Sequence, residues 1–436
     1  MAEKTQRKLR AGRLSLALSA LGLVAIMVGA CTVAPGGGGG GGGVTTTTLG
    51  GGGVTTTTPG GGGGTTTTLP GGSTTPTLVA GRQHTCSLRP NATVRCWGNN
   101  SLGQLGNASS VSSSIPVQVS GLTGVVAIAA GGFHTCALLS TQEVSCWGNN
   151  SSGQLGDGSE TNSSIPVTAF NLTGVVRIAT GGDHSCAVKS TGKVSCWGDG
   201  FSGQLGTGSN SSAPTPRSVA VLTGAVSVTA GDSHTCALIN TGSVSCWGAS
   251  NNGQLGRATF LDENVAGSVV GLTNATSVVA GGSFTCANRS TGLPVCWGDN
   301  FYGQLGDGVF LPPPPVEGDP PPEPRLANTP QAVISLTAVS SITAGGEHAC
   351  GIAGAGAAAC WGRNNSGQLG DGTAVSNSTP QAVVGLIGLS QIVAGDDHTC
   401  ALRTNGAALC WGDNSSGQLG TGDNVSSLEP VSVTAL

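Results

Sequence analysis

One motif string recurs seven times in this chain: Gly-x-x-His-Thr-Cys, nine further residues, Cys-Trp-Gly, then Gly-Gln-Leu-Gly, with small variations. The Cys-Trp-Gly steps begin at Cys96, Cys146, Cys196, Cys246, Cys296, Cys360 and Cys410, a spacing of 50 residues broken once by a step of 64. Self-similarity at such a period marks a structural array in which no unit buries its apolar face alone. Each unit holds four short runs with strand character, in the second unit 116–119, 125–129, 134–139 and 143–147, separated by Gly, Thr and Ser turns. Four strands per unit make a propeller blade. The expected fold is therefore all-β, a seven-bladed β-propeller of four-stranded antiparallel blades over residues 77–436.

The chain ends bear on closure. The first unit opens at Thr77, already at the second of these runs, while residues 430–433 repeat the first run once more. The C-terminal strand is thus expected to complete the first blade and hide two sheet edges.

Cysteine arithmetic fits this frame. Of 15 cysteines, all but Cys31 fall into pairs ten positions apart: Cys86 and Cys96, Cys136 and Cys146, Cys186 and Cys196, Cys236 and Cys246, Cys286 and Cys296, Cys350 and Cys360, Cys400 and Cys410. In the third unit Ser190, Thr191 and Gly192 lie midway, so a hairpin with Gly192 in the left-handed position sets Cys186 opposite Cys196. Disulfides in an exported chain follow. Zinc fits poorly, because its cysteine ligands are usually two to four residues apart. No metal or cofactor site is expected.

Export is also written at the N-terminus. Lys4, Arg7, Lys8, Arg10 and Arg13 precede an apolar run ending Val28-Gly29-Ala30-Cys31. That ending resembles the lipobox of bacterial lipoproteins, with Cys31 the lipidated residue of a 1–31 signal segment and the lipid a membrane anchor. An uncleaved transmembrane anchor is the alternative. Residues 32–76 are Gly- and Thr-rich and read as a flexible tether, about 35 to 40 Å in root-mean-square length. The chain is expected outside the cytoplasm, lipid-anchored to a bacterial envelope.

The repeated strings resemble the regulator-of-chromosome-condensation repeat family, whose members form seven-bladed propellers, here in an exported bacterial variant with paired cysteines. The resemblance implies binding through loops around one face. Nucleotide exchange on a GTPase, which the family name suggests, suits a cytosolic or nuclear protein better than an exported one. The light-sensing branch carries extra tryptophans before the His, where this chain has Gly132, Gly182, Gly282, Asp232 and Asp396. That function is not supported.

Repetition argues against catalysis at the conserved slots, since an active site needs one distinctive constellation. His84, His134, His184, His234, His348 and His398 share one slot that Phe284 fills in the fifth unit, so a buried imidazole bonded to backbone groups is expected. The seven tryptophans all follow the second Cys, on the strand face opposite it, and are expected between blades. Gln104 and its equivalents should satisfy turn backbone, Leu105 and its equivalents the core. The Asp157-Gly158, Asp307-Gly308 and Asp371-Gly372 steps read as turns rather than calcium loops.

Function should reside where repeats differ. The long step carries a Pro-rich acidic insertion at 309–326, with Phe310, Pro313, Glu317, Asp319 and Glu323, either a projecting ligand or rim wall or a tolerated insertion. The fourth unit departs at Phe260 and Leu261. With 9% charged residues, a net charge of -4 and no basic stripe, nucleic acid is excluded as a partner. A monomeric, non-enzymatic scaffold for a protein partner is the leading expectation. An envelope glycan-active enzyme is the alternative, although the acidic residues read as scattered, with no carboxylate pair to choose.

Overall fold

The computed structural model describes residues 67–68, 76–309, 326–434 and 436. The chain divides into two units, Met1–Gly52 and Gly53–Leu436, and every described residue belongs to the second. Cys31 lies outside the described residues, as do Phe310, Pro313, Glu317, Asp319 and Glu323.

Seven antiparallel sheets form the propeller, each running in simple meander order from the inner to the outer strand. Blade 2 shows the pattern with Val125–Ala130, His134–Leu139, Val144–Gly148 and Ser163–Thr168. A two-residue strand, Thr67–Thr68, adds to the free edge of its inner strand. Meander order sorts the connections. Turns between the first and second strands and loops between the third and fourth share one face, and the remaining connections share the other.

Closure differs from the sequence expectation. The C-terminal strand Ser427–Ser432 pairs with Ala408–Gly412 and is the outer strand of blade 7, while blade 1 owns its four strands from Thr77–Ala80 to Ser113–Gln118. The first run of each repeat is the outer strand of the preceding blade. A periodic string fixes the interval between units but not where one unit is cut from the next.

A hydrogen-bond clamp joins blades instead. His84 Nε2 lies 2.9 Å from Thr135 Oγ1 of blade 2; that hydroxyl donates to the Gln104 carbonyl of blade 1 at 3.0 Å, and Trp147 Nε1 of blade 2 donates to the same carbonyl at 2.9 Å. The threonine proton goes to a carbonyl, so the imidazole must donate through Nε2, and burial, which holds it down to about 3, keeps it neutral. His Nδ1 then carries a bare lone pair, without a partner among the described residues. The expected backbone partner is thus replaced by the hydroxyl of the next blade. His398, Thr85, Gln418 and Trp97 repeat the clamp between blades 7 and 1 and close the ring.

Packing follows the same interlock. All seven cysteine pairs are bonded, with Cα atoms 4.0 to 4.1 Å apart. Cys136 and Cys146 of blade 2 share a cluster with Trp197 of blade 3, and every tryptophan is fully buried. Gly192 takes φ of 74° in its hairpin, as expected. The Gln104 side chain accepts from Leu102 N–H, and Leu105 is fully buried. Asp157 accepts from Asn150 and Ser159 N–H, which is turn chemistry.

The His ring packs against the first Gly of its motif. A methyl on Gly181 would collide with the His184 ring and the Gly231 carbonyl oxygen of the next blade. Two rigid neighbours cannot both retreat, so Gly181→Ala is expected to destabilise the fold by about 3 kcal/mol or more. Chemical denaturation would measure it. A change below about 1 kcal/mol would contradict this packing.

One clamp is missing. Between blades 5 and 6, Phe284 stands in the His slot and Ala349 in the Thr slot, so both partners of the absent bond are apolar. Paired loss leaves no unsatisfied group, which is why it is tolerated.

Candidate functional site

Above the clamp, the two residues between Gly and His in each blade form the turns that ring the channel mouth. The clamp holds these turns rigidly and leaves their side chains free to vary. Their first positions carry Arg82, Gly132, Gly182, Asp232, Gly282, Gly346 and Asp396; their second carry Gln83, Phe133, Asp183, Ser233, Ser283, Glu347 and Asp397. Carboxylates that look scattered along the chain therefore converge. This corrects the expectation of scattered acidic residues with no carboxylate pair to choose.

A cavity of about 320 Å³ opens here, lined by Arg82, Asp232, Asp299, Glu347, Arg363, Asp396 and Asp397 among others. Arg82 reaches across the mouth from blade 1, with Nη2 2.6 Å from Asp232 of blade 4 and Nε 3.3 Å from Asp396 of blade 7. Arg363 binds Glu347 at 3.0 Å and lies 3.4 Å from Asp397. Its guanidinium also faces the Tyr302 ring at 5.4 Å.

Crowding sets the electrostatics. Burial, then the Asp232 charge, pushes the Asp396 carboxyl up to about 7 against the pull of Arg82. The side chain keeps 37% of its surface open, but that surface lines the cavity. Asp183, Asp299, Glu347 and Asp397 are all raised, burial first among the causes. Burial works to lower Arg82, and Asp232 with Asp396 outweighs it and raises it. Five carboxylates face two guanidiniums. The mouth is an anionic, partly desolvated pocket.

Phe260 and Leu261 lie on the third-to-fourth strand loop of blade 4, on the mouth face, 45% and 72% exposed. Sequence reasoning missed the cavity residues. The available signal was the pair of variable positions inside an otherwise constant Gly-x-x-His turn. Among the described residues no three His, Cys, Asp or Glu side chains converge as a metal site.

Comparison with known proteins bears on family. Models of the regulator of chromosome condensation (RCC1) repeat match residues 77–104, 125–154, 175–204, 225–254, 275–304, 339–368 and 389–418, and in a second form 93–138, 143–188, 191–238, 356–402 and 405–436. A search of curated proteins returns no match. Among solved structures, yeast RCC1 (Prp20) in its complex with Kap60 is similar at 22% identity and a TM-score of 0.67, over 82% of this chain and 85% of that one. Human WBSCR16 is similar at 22% identity and a TM-score of 0.68, over 78% and 92%. At these identities the structures speak to fold, and the repeat matches speak to descent: the chain belongs to the regulator of chromosome condensation (RCC1) repeat family.

Proposed function

We propose that this protein is a non-enzymatic binding scaffold, exported and lipid-anchored at Cys31 on a bacterial envelope, that holds a partner protein on its channel-mouth face. The supporting observation is the convergence of variable charged side chains from five blades on one cavity, over a frame that otherwise repeats. Relatives of this fold are recorded in protein complexes: yeast RCC1 bound to Kap60, and Prp20p from Saccharomyces cerevisiae with binding properties to Gsp1p and histones. The anchoring rests on the lipobox-like ending and on disulfides that need an oxidising compartment.

A photocrosslinking residue at Ser283, which lines the cavity, is compared on intact cells with one at Thr191 on the opposite face. A discrete crosslinked partner from Ser283 alone supports the reading. Crosslinks from Thr191 alone overturn it. Replacing Cys31 with Ser should move the chain from the detergent to the aqueous phase on Triton X-114 partition; an unchanged distribution would remove the lipid anchor.

The carboxylates at the mouth also favour a second reading, a hydrolase acting on envelope glycans. A raised carboxyl such as Asp396 is what a general acid needs. Yet Arg82 is ion-paired with both Asp396 and Asp232, so the raised carboxyl is already held by a cation. Polysaccharide turnover lost on Asp396→Asn would establish the enzyme.

A further inference from the structure

The mouth face carries exposed aromatics as well as charge. At the third position after the Cys-Trp-Gly step, in each third-to-fourth strand loop, the blades have Ser101, Ser151, Phe201, Asn251, Phe301, Asn365 and Ser415. Two of seven equivalent positions are phenylalanine, 75% and 52% exposed, on the blades that flank blade 4 with its own exposed Phe260 and Leu261. Five polar equivalents show that the loop does not need an aromatic ring to fold. The apolar arc over blades 3 to 5 therefore calls for an explanation outside the chain.

Charge and arc are contiguous. Asp299, which lines the cavity, accepts the Phe301 N–H at 3.1 Å. The Phe301 ring stands 4.8 Å from Tyr302, and Tyr302 faces Arg363, another cavity residue. Arg82 engages Asp232 and Asp396, and Arg363 engages Glu347 and Asp397. Asp299 accepts from Gln304 Nε2 at 3.0 Å but has no ion-pair partner among the described residues. The carboxylate nearest the aromatic arc is the one left without a cation.

We propose that this face docks an apolar segment of a partner protein carrying one arginine or lysine, the cation entering the cavity beside Asp299 and the flanking side chains lying on Phe301 and Phe201. Opposite charge selects the occupant: an acidic segment would meet five carboxylates, and a purely apolar one would leave Asp299 desolvated and unpaired. A cation placed between carboxylate and ring also gains from the ring face. The inference rests on the scaffold reading and names the chemistry of its partner.

The probe is a capped, fluorescein-labelled hexapeptide in which one arginine is flanked by leucine and phenylalanine, against its citrulline analogue of equal shape and no charge. Anisotropy titrations use the full chain. The arginine peptide is expected to bind about tenfold more tightly, a ratio that shrinks with added salt. Asp299→Asn keeps the turn acceptor and should bring the two peptides to within about twofold. Phe301→Ser, the residue that three other blades hold there, should weaken both peptides by a similar factor. Melting curves matching the parent chain confirm that both variants fold.

Equal affinity of the two peptides, a preference that survives Asp299→Asn, or no binding of either peptide overturns the proposal. If Ser283 still crosslinks a partner in that case, the scaffold reading stands and only the cationic chemistry falls. If Ser283 crosslinks nothing while the peptide preference holds, the mouth has an affinity for cationic peptides but the scaffold reading falls, and the partner-protein inference with it.

Discussion

Reduction of the seven disulfides is expected to unfold the propeller at 37 °C in buffer without denaturant. Each bond closes a ten-residue separation and restricts the unfolded chain by about 2 to 3 kcal/mol on the chain-entropy account. Seven separate loops add, giving on the order of 15 to 20 kcal/mol, at or above the whole stability of a typical domain. The hairpins also lie under the interlock, because each disulfide packs against the tryptophan of the next blade. Tryptophan emission reports the loss directly, since all seven indoles leave buried sites together. Full reduction by a phosphine reductant, verified by thiol mass labelling, should shift that emission to the red. A fully reduced chain with an unchanged melting temperature would show that the hairpins do not carry the stability.

Acid should produce the second large effect, through the clamp. Burial holds the imidazoles far below the ordinary value of 6.5: His84, His134, His234 and His348 to about 3, His184 and His398 to about 4. Between 6.5 and these values the unfolded chain binds protons that the folded chain refuses, so stability falls as pH falls. Each histidine contributes a slope of about 1.4 kcal/mol per pH unit, and six acting together give roughly 8. Asp396 works in the opposite direction, because its raised carboxyl takes a proton more readily when folded. Asp183, Asp299, Glu347 and Asp397 are raised as well and oppose the imidazoles towards the acid end, so five carboxyls against six imidazoles reduce the net slope and leave its sign unchanged.

The missing clamp supplies the control. Blade 5 already shows that an apolar pair fits, with Phe284 over Ala349. The double change His184→Phe with Thr235→Ala copies that pair into blades 3 and 4. It should remove about one-sixth of the imidazole contribution, close to 1.4 kcal/mol per pH unit, while keeping the fold at pH 7. Urea titrations from pH 7 down to pH 4.5 measure both slopes. A flat stability profile over that range would mean that the imidazoles are not the titrating groups.

Legibility in the sequence tracked repetition. The cysteine pairs, the hairpin glycine at Gly192, the buried tryptophans and the seven-blade count each follow from a motif that recurs in phase, and recurrence is a one-dimensional property. Phase was not legible, because a periodic string reads the same wherever it is cut; the outer strand was therefore assigned one blade too late. The clamp was half legible. Phe284 marked the His slot as a packing position, but Ala349, which replaces the threonine opposite it, lies 65 positions on and belongs to another blade.

The mouth was not legible at all. Arg82 and Asp232 are 150 positions apart, and nothing local marks them as partners. Ring closure brings them to 2.6 Å, because every blade delivers the same turn to the same rim. What recurs along this chain, its hairpins, disulfides and blade number, could be deduced from residue order, since local backbone chemistry and short-range pairing specify it. Which unlike residues meet at the channel was settled by folding in three dimensions, because it depends on the curvature that carries one end of the chain around to the other.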